Sequence, residues 1–381
     1  MSHSVHSPTT LGDVVRLALG WGAFIILRSA GPALDPPMPT GALVGVLVGT
    51  TAVVVACAFG VVKHAEALAR RLGDPYGTLV LTLSVVLIEV ILIAAVMLGP
   101  GDHATIARDS VMAVSMIIMN LVIGLSLMLG GLRHGGMTPN RAGTSAYLSM
   151  VIALASLAFA LPAFIGEAGA YTAGQSAPII VVTLGVYAFF LCRQTGAQAA
   201  DFREIDRRLL GPANPPAADH SARLRRTLDE HRREILRRIG LLTATMIPIV
   251  LLSHDLAALL DHGLSRAGAP FALAGALIAM IVFLPESLTS VRAAMSGEAQ
   301  RVNNLCHGGL VSTVGLTIPV VLIIGLVTDQ TVILAESPAN LLLLTVTMAL
   351  AIAALSAEKA TAVHGAAHLV VFAAYGVTLF S

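Results

Sequence analysis

Charge is what this chain has least of. Asp, Glu, Lys and Arg make up only 12% of its 381 residues, whereas soluble domains carry roughly 25%. A globule of this size cannot be coated with so few charges, so a multi-domain soluble protein is excluded. The formal net charge is +1, which gives no basis for a nucleic-acid partner. Cysteine is also scarce. Cys57, Cys192 and Cys306 lie far apart in apolar runs, so neither a zinc site nor a disulfide framework is indicated. They read as core or lipid-facing residues. The first ten residues are polar and the first apolar run has no small-residue cleavage site, so no cleavable signal peptide is expected. No HExxH pair and no nucleophile with a neighbouring base marks an intramembrane enzyme.

What is present is apolar sequence, 56% of the chain, with a mean hydropathy of +0.84. About 20 apolar residues cross a bilayer. Eleven runs qualify: 13–30, 41–62, 76–98, 109–132, 144–165, 177–194, 238–260, 270–293, 303–327, 338–356 and 360–380. The first is the weakest, because Arg16 and Arg28 bracket its short core, and both can snorkel to the interfaces. Two segments read differently. Residues 63–73, KHAEALARRLG, form an amphipathic stretch that stops at Asp74-Pro75 and is expected to lie along the membrane surface. Residues 195–237 are the one long polar segment, broken by Pro212, Pro215 and Pro216 into two charged helical pieces.

Lys and Arg set the orientation. With eleven spans, 20 of the 23 basic residues fall on one side and only Arg28, Arg108 and Arg266 on the other. That skew places the N-terminus and residues 195–237 in the cytoplasm and the C-terminus outside.

The two sides of the polar segment resemble each other. Span 3, GTLVLTLSVVLIEVILIAAVMLG, and span 8, LAGALIAMIVFLPESLTSVRAAMSG, each carry one carboxylate in mid-span. A span rich in small and polar residues follows each. The expected fold is therefore all-α and polytopic. Residues 1–40 hold the tail and an extra span, 41–194 a first five-span repeat, 195–237 a cytoplasmic linker, and 238–381 a second repeat. Five is odd, so the second repeat is inverted, an architecture of transporters that bind at the midplane.

Glu89 and Glu286 are the two mid-span carboxylates, with no Lys or Arg at matching depth. A charge there costs ~3 kcal/mol even on the lenient insertion scale. Helix glue by a protonated Glu does not explain the repetition. A shared cation site does: two carboxylates suit a hard cation such as Ca²⁺, with carbonyls and waters completing the shell, and a proton can take the ion's place. Pro285 cannot donate to the carbonyl of Ile281, which leaves that oxygen as a candidate ligand. Asn120, Ser312 and Thr313 offer amide or hydroxyl oxygens, either as ligands or as interhelical hydrogen bonds. Ser84 and Ser287 flank the carboxylates. Gly308 and Gly309 would let span 9 approach span 8, and the adjacent His307 reads as packing. His364 and His368 share a face of span 11, which fits packing or proton relay better than a metal pair. Asp255, Asp261, Glu336 and Glu167 sit at outer span ends and are expected to be solvated.

Several stretches carry a family resemblance. They are AEALARRLGDPYGTL, LSVVLIEVILI and ARDSVMAVSMIIMNLVIGLSLMLGGLRH in the first half, and LPESLTSVRAAMSGEAQRVNNL, TVGLTIPVV and AAHLVVFAAY in the second. The chain resembles the bacterial branch of the Ca²⁺/cation:proton antiporters, within the cation/calcium exchanger superfamily. The wider family carries Gly-Asn-x-x-Glu in each repeat. Here Glu89 and Glu286 match the Glu, while Val85 and Val282 stand at the Gly, and Val86 and Phe283 at the Asn. Asn120 matches the family's Asn in the following helix, and Ser312 falls where a Gln is common. The resemblance implies a secondary antiporter of a bacterial inner membrane, exchanging cytoplasmic Ca²⁺, or Na⁺ or K⁺, for protons. It implies no cofactor. Its partners are inorganic cations, protons and the lipid bilayer, with a homo-oligomer left open. A channel is the competing class, but it has no need of titratable groups at equivalent repeat positions.

Overall fold

A computed structural model describes residues 10–30, 38–72, 76–98, 104–204, 230–270 and 272–380. Within them lie eleven helical rods, which coincide with the eleven apolar runs. They are α1 (Leu11–Ser29), α2 (Thr40–Leu72), α3 (Tyr76–Met97), α4 (Ile106–His134), α5 (Arg141–Ile165), α6 (Ala173–Thr195), α7 (Arg232–Ala267), α8 (Ala272–Ser296), α9 (Ala299–Thr328), α10 (Pro338–Ser356) and α11 (Ala362–Thr378). Among the described residues eight of these are long and apolar enough to span a membrane, and α3 and α11 add shorter apolar stretches, Thr82–Ala94 and Ala362–Thr378. The protein is thus an all-helical, multi-pass membrane protein.

The helices begin and end on ordinary chemistry. The Asn140 side chain accepts the Ala142 N–H at the start of α5, and Ser337 accepts the Asn340 N–H at the start of α10, with Pro338 at the first position. Gly135 closes α4 and Gly268 closes α7 with φ of 72° and 65°, a backbone that glycine adopts without a Cβ penalty.

Burial sorts the helices into inner and outer. α9 is buried almost all round, as expected for a helix with no lipid face. α6 buries one stripe, Ser176, Thr183, Tyr187, Phe190 and Gln194, and leaves Val181 and Phe189 bare. α10 buries Leu344, Thr347, Met348 and Ala351 at helical spacing and leaves Leu342 and Ile352 bare. Apolar outer faces of this kind are what hydrocarbon requires. α4 and α11 cross at glycines: an added Cβ at Gly365 would collide with the Met128 backbone, and one at Gly131 with that of Ala362. Without those glycines the two backbones could not approach so closely.

Three expectations need correction. Residues 63–72 do not form a separate surface stretch, because α2 runs unbroken from Thr40 to Leu72. Lys63 and His64 reach Asp13 of α1, Lys63 at 2.8 Å. The polar segment 195–237 is not a free linker from its start. A 3-10 turn, Ala199–Phe202, buries Phe202, and the Glu204 carboxylate accepts the Gln300 N–H at 2.9 Å. Glu336 is not solvated. It is buried and accepts from Asn340 Nδ2 at 2.9 Å and from the Ser337 N–H at 3.1 Å, with Arg108 3.9 Å away. Burial pushes its carboxyl above the ordinary carboxylate range, against the opposing pull of those partners. Glu167 is exposed and Asp255 half-buried. The Asp74-Pro75 stop, the proline break at 212–216 and the side chain of Asp261 lie outside the described residues.

Candidate functional site

Three helices bring the mid-span carboxylates together. α3 has one charged residue, Glu89, in a sequence otherwise made of apolar and hydroxyl residues. α8 carries Glu286 directly after Pro285. Both side chains are buried, 4% and 6% exposed, and Glu286 lies within reach of the Glu89 charge. α9 lies against both. Thr313 Oγ1 donates to Glu89 Oε2 at 2.7 Å. One turn earlier, a Cβ added to Gly309 would come 4.0 Å from Glu286 Oε1, so the glycine leaves space beside that oxygen.

No Lys or Arg forms an ion pair with either glutamate among the described residues. Glu89 Oε1 and Glu286 Oε1 are buried without a hydrogen-bond partner. A buried acceptor left in this condition costs about 1–3 kcal/mol. A cavity of about 20 Å³ adjoins Glu89, lined by Ser110, Val114, Gly275, Ile278 and Phe283 among others. That is room for about one water molecule or one bare ion. Two carboxylates in so apolar a place carry two charges together only when a cation neutralises them, and otherwise hold protons. Among the described residues no cluster of three or more His, Cys, Asp or Glu offers a resident metal site.

The remaining sequence candidates divide. Thr313 is at the site. Ser312, the residue before it, faces α6, where Tyr187 Oη donates to it at 3.1 Å and it donates to the Gly308 carbonyl at 2.9 Å. A helix turns about 100° per residue, so adjacent hydroxyls cannot both point at Glu89. Asn120 lies in a π turn of α4, Ile117–Val122. Its amide pairs with Thr347 of α10 at 2.8 Å and with His368 of α11 at 3.1 Å, not with either carboxylate. Ser84 and Ser287 donate back to Val80 and Phe283 of their own helices, at 2.7 and 2.8 Å. Pro285 leaves the Ile281 carbonyl without a helical N–H. Gly308 does not admit α8. It admits Tyr147 of α5, whose hydroxyl would lie 3.0 Å from an added Cβ. His364 caps Thr361 rather than pairing with His368. Cys57 and Cys306 are buried, Cys306 beside Ser290, and Cys192 is exposed.

Reasoning from sequence did not find Tyr147, Gln194, Thr144 and Asn303. Tyr147 is fully buried and accepts from Gln194 Nε2 at 2.6 Å, and Asn303 donates to Thr144 at 3.0 Å. Their one sequence signal was polarity inside apolar runs.

Comparison with known proteins agrees with this architecture. The pattern of the family described as "Sodium/calcium exchanger protein" matches residues 42–196 and 238–381. Over 320 residues, 83% of either chain, the sequence is 35% identical to a putative ionic transporter, y4hA, of Sinorhizobium fredii. Over 332 residues, 86% of this chain and 87% of the other, it is 31% identical to the sodium-potassium/proton antiporter ChaA of Escherichia coli. Its fold resembles the solved H⁺/Ca²⁺ exchanger CAX, with a TM-score of 0.68 at 14% identity, covering 97% of this chain and 89% of that one. The chain belongs to the sodium/calcium exchanger protein family.

Proposed function

We propose that this protein is a secondary antiporter of a bacterial inner membrane. It moves a cytoplasmic cation outward in exchange for protons moving inward, and Glu89 and Glu286 are the shared site for both. The observation that carries the reading is a bare oxygen on each of two buried carboxylates within electrostatic reach, with no Lys or Arg ion-paired to either among the described residues. The two halves, 41–194 and 238–381, act as inverted repeats. The two segments matched by the family pattern support that division. The basic-residue skew supports a cytoplasmic N-terminus and 195–237 segment and an external C-terminus.

Ca²⁺ is the first candidate substrate, because two carboxylates balance a divalent charge. The second is Na⁺ or K⁺, favoured by the likeness to the sodium-potassium/proton antiporter of E. coli and by the valine and phenylalanine at the family's two Asn positions. Everted membrane vesicles carrying an acid-interior pH gradient separate them. Ca²⁺, Na⁺ and K⁺ are added singly, and the gradient is followed with a fluorescent weak base. The reading expects at least one cation to collapse the gradient saturably. It is overturned if none does in vesicles that contain the protein.

A further inference from the structure

The carboxylates use the face of α9 that carries Cys306, Gly309 and Thr313. A neighbouring face holds a second polar group with no part in that site. His307 of α9 and His368 of α11 are buried, 7% and 1% exposed, and lie within electrostatic reach of each other. The His307 ring has no side-chain hydrogen-bond partner and lies against the Asn303 backbone one turn earlier, and Nε2 of His368 has no partner. His368 Nδ1 meets Asn120 Oδ1 at 3.1 Å. An amide oxygen only accepts, so Nδ1 carries the hydrogen and Nε2 presents a lone pair.

Both imidazoles line one cavity of about 60 Å³, enough for on the order of four waters. Its other walls include Thr144, Asn303, Ala351 and Leu355, and it reaches Met137, Pro139 and Ala360. Met137 and Ala360 bridge the segments before α5 and α11, beside Arg141 and Lys359 on the side richer in basic residues. No carboxylate, Lys or Arg lines the cavity. The titratable groups that face the pair are His364, one turn before His368, and Tyr147 of α5, whose ring stacks on His307 at 6.4 Å. Arg141 stands near the mouth, donating to the Ala357 carbonyl, and Lys359 lies against Gly136. The lining offers no carboxylate to replace a metal ion's water. Water can fill the cavity, and imidazole can accept a proton on one nitrogen and release one from the other.

We propose that His307 and His368 form a proton-transfer station between the carboxylate site and water on the basic, cytoplasmic face. This rests on the antiport reading above. The O–H proton of a carboxylic acid passes through water to a ring nitrogen of the pair, giving an imidazolium. The imidazolium then releases a proton to cavity water and returns to neutral, with His368 keeping its Nδ1 hydrogen on Asn120. No electrons move. The metal ion does not use this route, so proton movement and cation movement are separable by mutation.

The test uses full-length protein in proteoliposomes, with His307→Leu and His368→Asn. Leucine fills space and removes both ring nitrogens. Asparagine keeps an N–H near Nδ1 for Asn120 and removes Nε2. Two rates are measured: cation flux driven by a pH gradient, and isotope counterflow of the same cation at equal pH, which needs no net proton movement. Each variant is expected to lose gradient-driven flux about tenfold or more and to keep counterflow within about twofold. The proposal is overturned if both rates survive, or if both fall together as a structural role would cause. If the wild type shows counterflow without gradient-driven flux, the antiport reading itself fails, and that result is distinct from either variant outcome.

Discussion

Glu89 and Glu286 occupy matching places in the two halves but are held differently. Thr313 donates to Glu89 across 2.7 Å, which fixes that carboxylate to α9. Glu286 meets no such hydroxyl on α9. Gly309 stands opposite its Oε1, and Pro285 interrupts the helix ladder one residue before it. One carboxylate is positioned and the other is given room. An ion between them would meet one oxygen already oriented and one free to adjust, a useful division for a site that must fill and empty.

The largest effect expected is from removing either charge. Glu89→Gln or Glu286→Gln leaves half the compensation for a divalent ion, and exchange should fall by on the order of a hundredfold or more. Protein level and detergent stability should hold, because an amide is cheaper in lipid than a carboxylate. Shortening the side chain should expose the asymmetry. Glu89→Asp pulls away from Thr313, so it should weaken apparent cation affinity more than Glu286→Asp does. Flux titrations on both would break the comparison if Glu286→Asp were the worse. Thr313→Val removes a hydrogen bond to the carboxylate, worth about tenfold in affinity, while Ser312→Ala should change affinity less than about twofold because Ser312 faces Tyr187. Smallest are Ser84→Ala and Ser287→Ala. Each hydroxyl returns to its own helix, so both variants should titrate like wild type.

The helices were legible because hydrocarbon demands about 20 apolar residues per crossing, and this chain supplies eleven such runs with few charges. Glu89 and Glu286 were legible for the complementary reason: a carboxylate in the middle of such a run is costly, and helix glue does not explain its recurrence in the second half. What failed was facing. Ser312 and Thr313 are equivalent as sequence, and only the rotation of α9 against α3 and α6 separates them. Asn120 is held in a π turn built from Ile, Met, Leu and Val, with no glycine or proline to announce it. Glu336 looked like any acid at a span end, yet tertiary contacts with Arg108 and Asn340 bury it. Phe202 is one apolar residue in a polar segment, too little to signal that the segment docks on α9 through Glu204 and Asn304.

The most direct test of the paired-carboxylate account is cation-induced proton release in proteoliposomes holding wild type, Glu89→Gln or Glu286→Gln, repeated across pH. Wild type should release protons on cation addition. Its apparent cation affinity should weaken as pH falls, since cations and protons compete for the same oxygens and the pair titrates as one site. Both variants should release none. Exchange at near wild-type rate in either variant would show that the paired carboxylates are not the site.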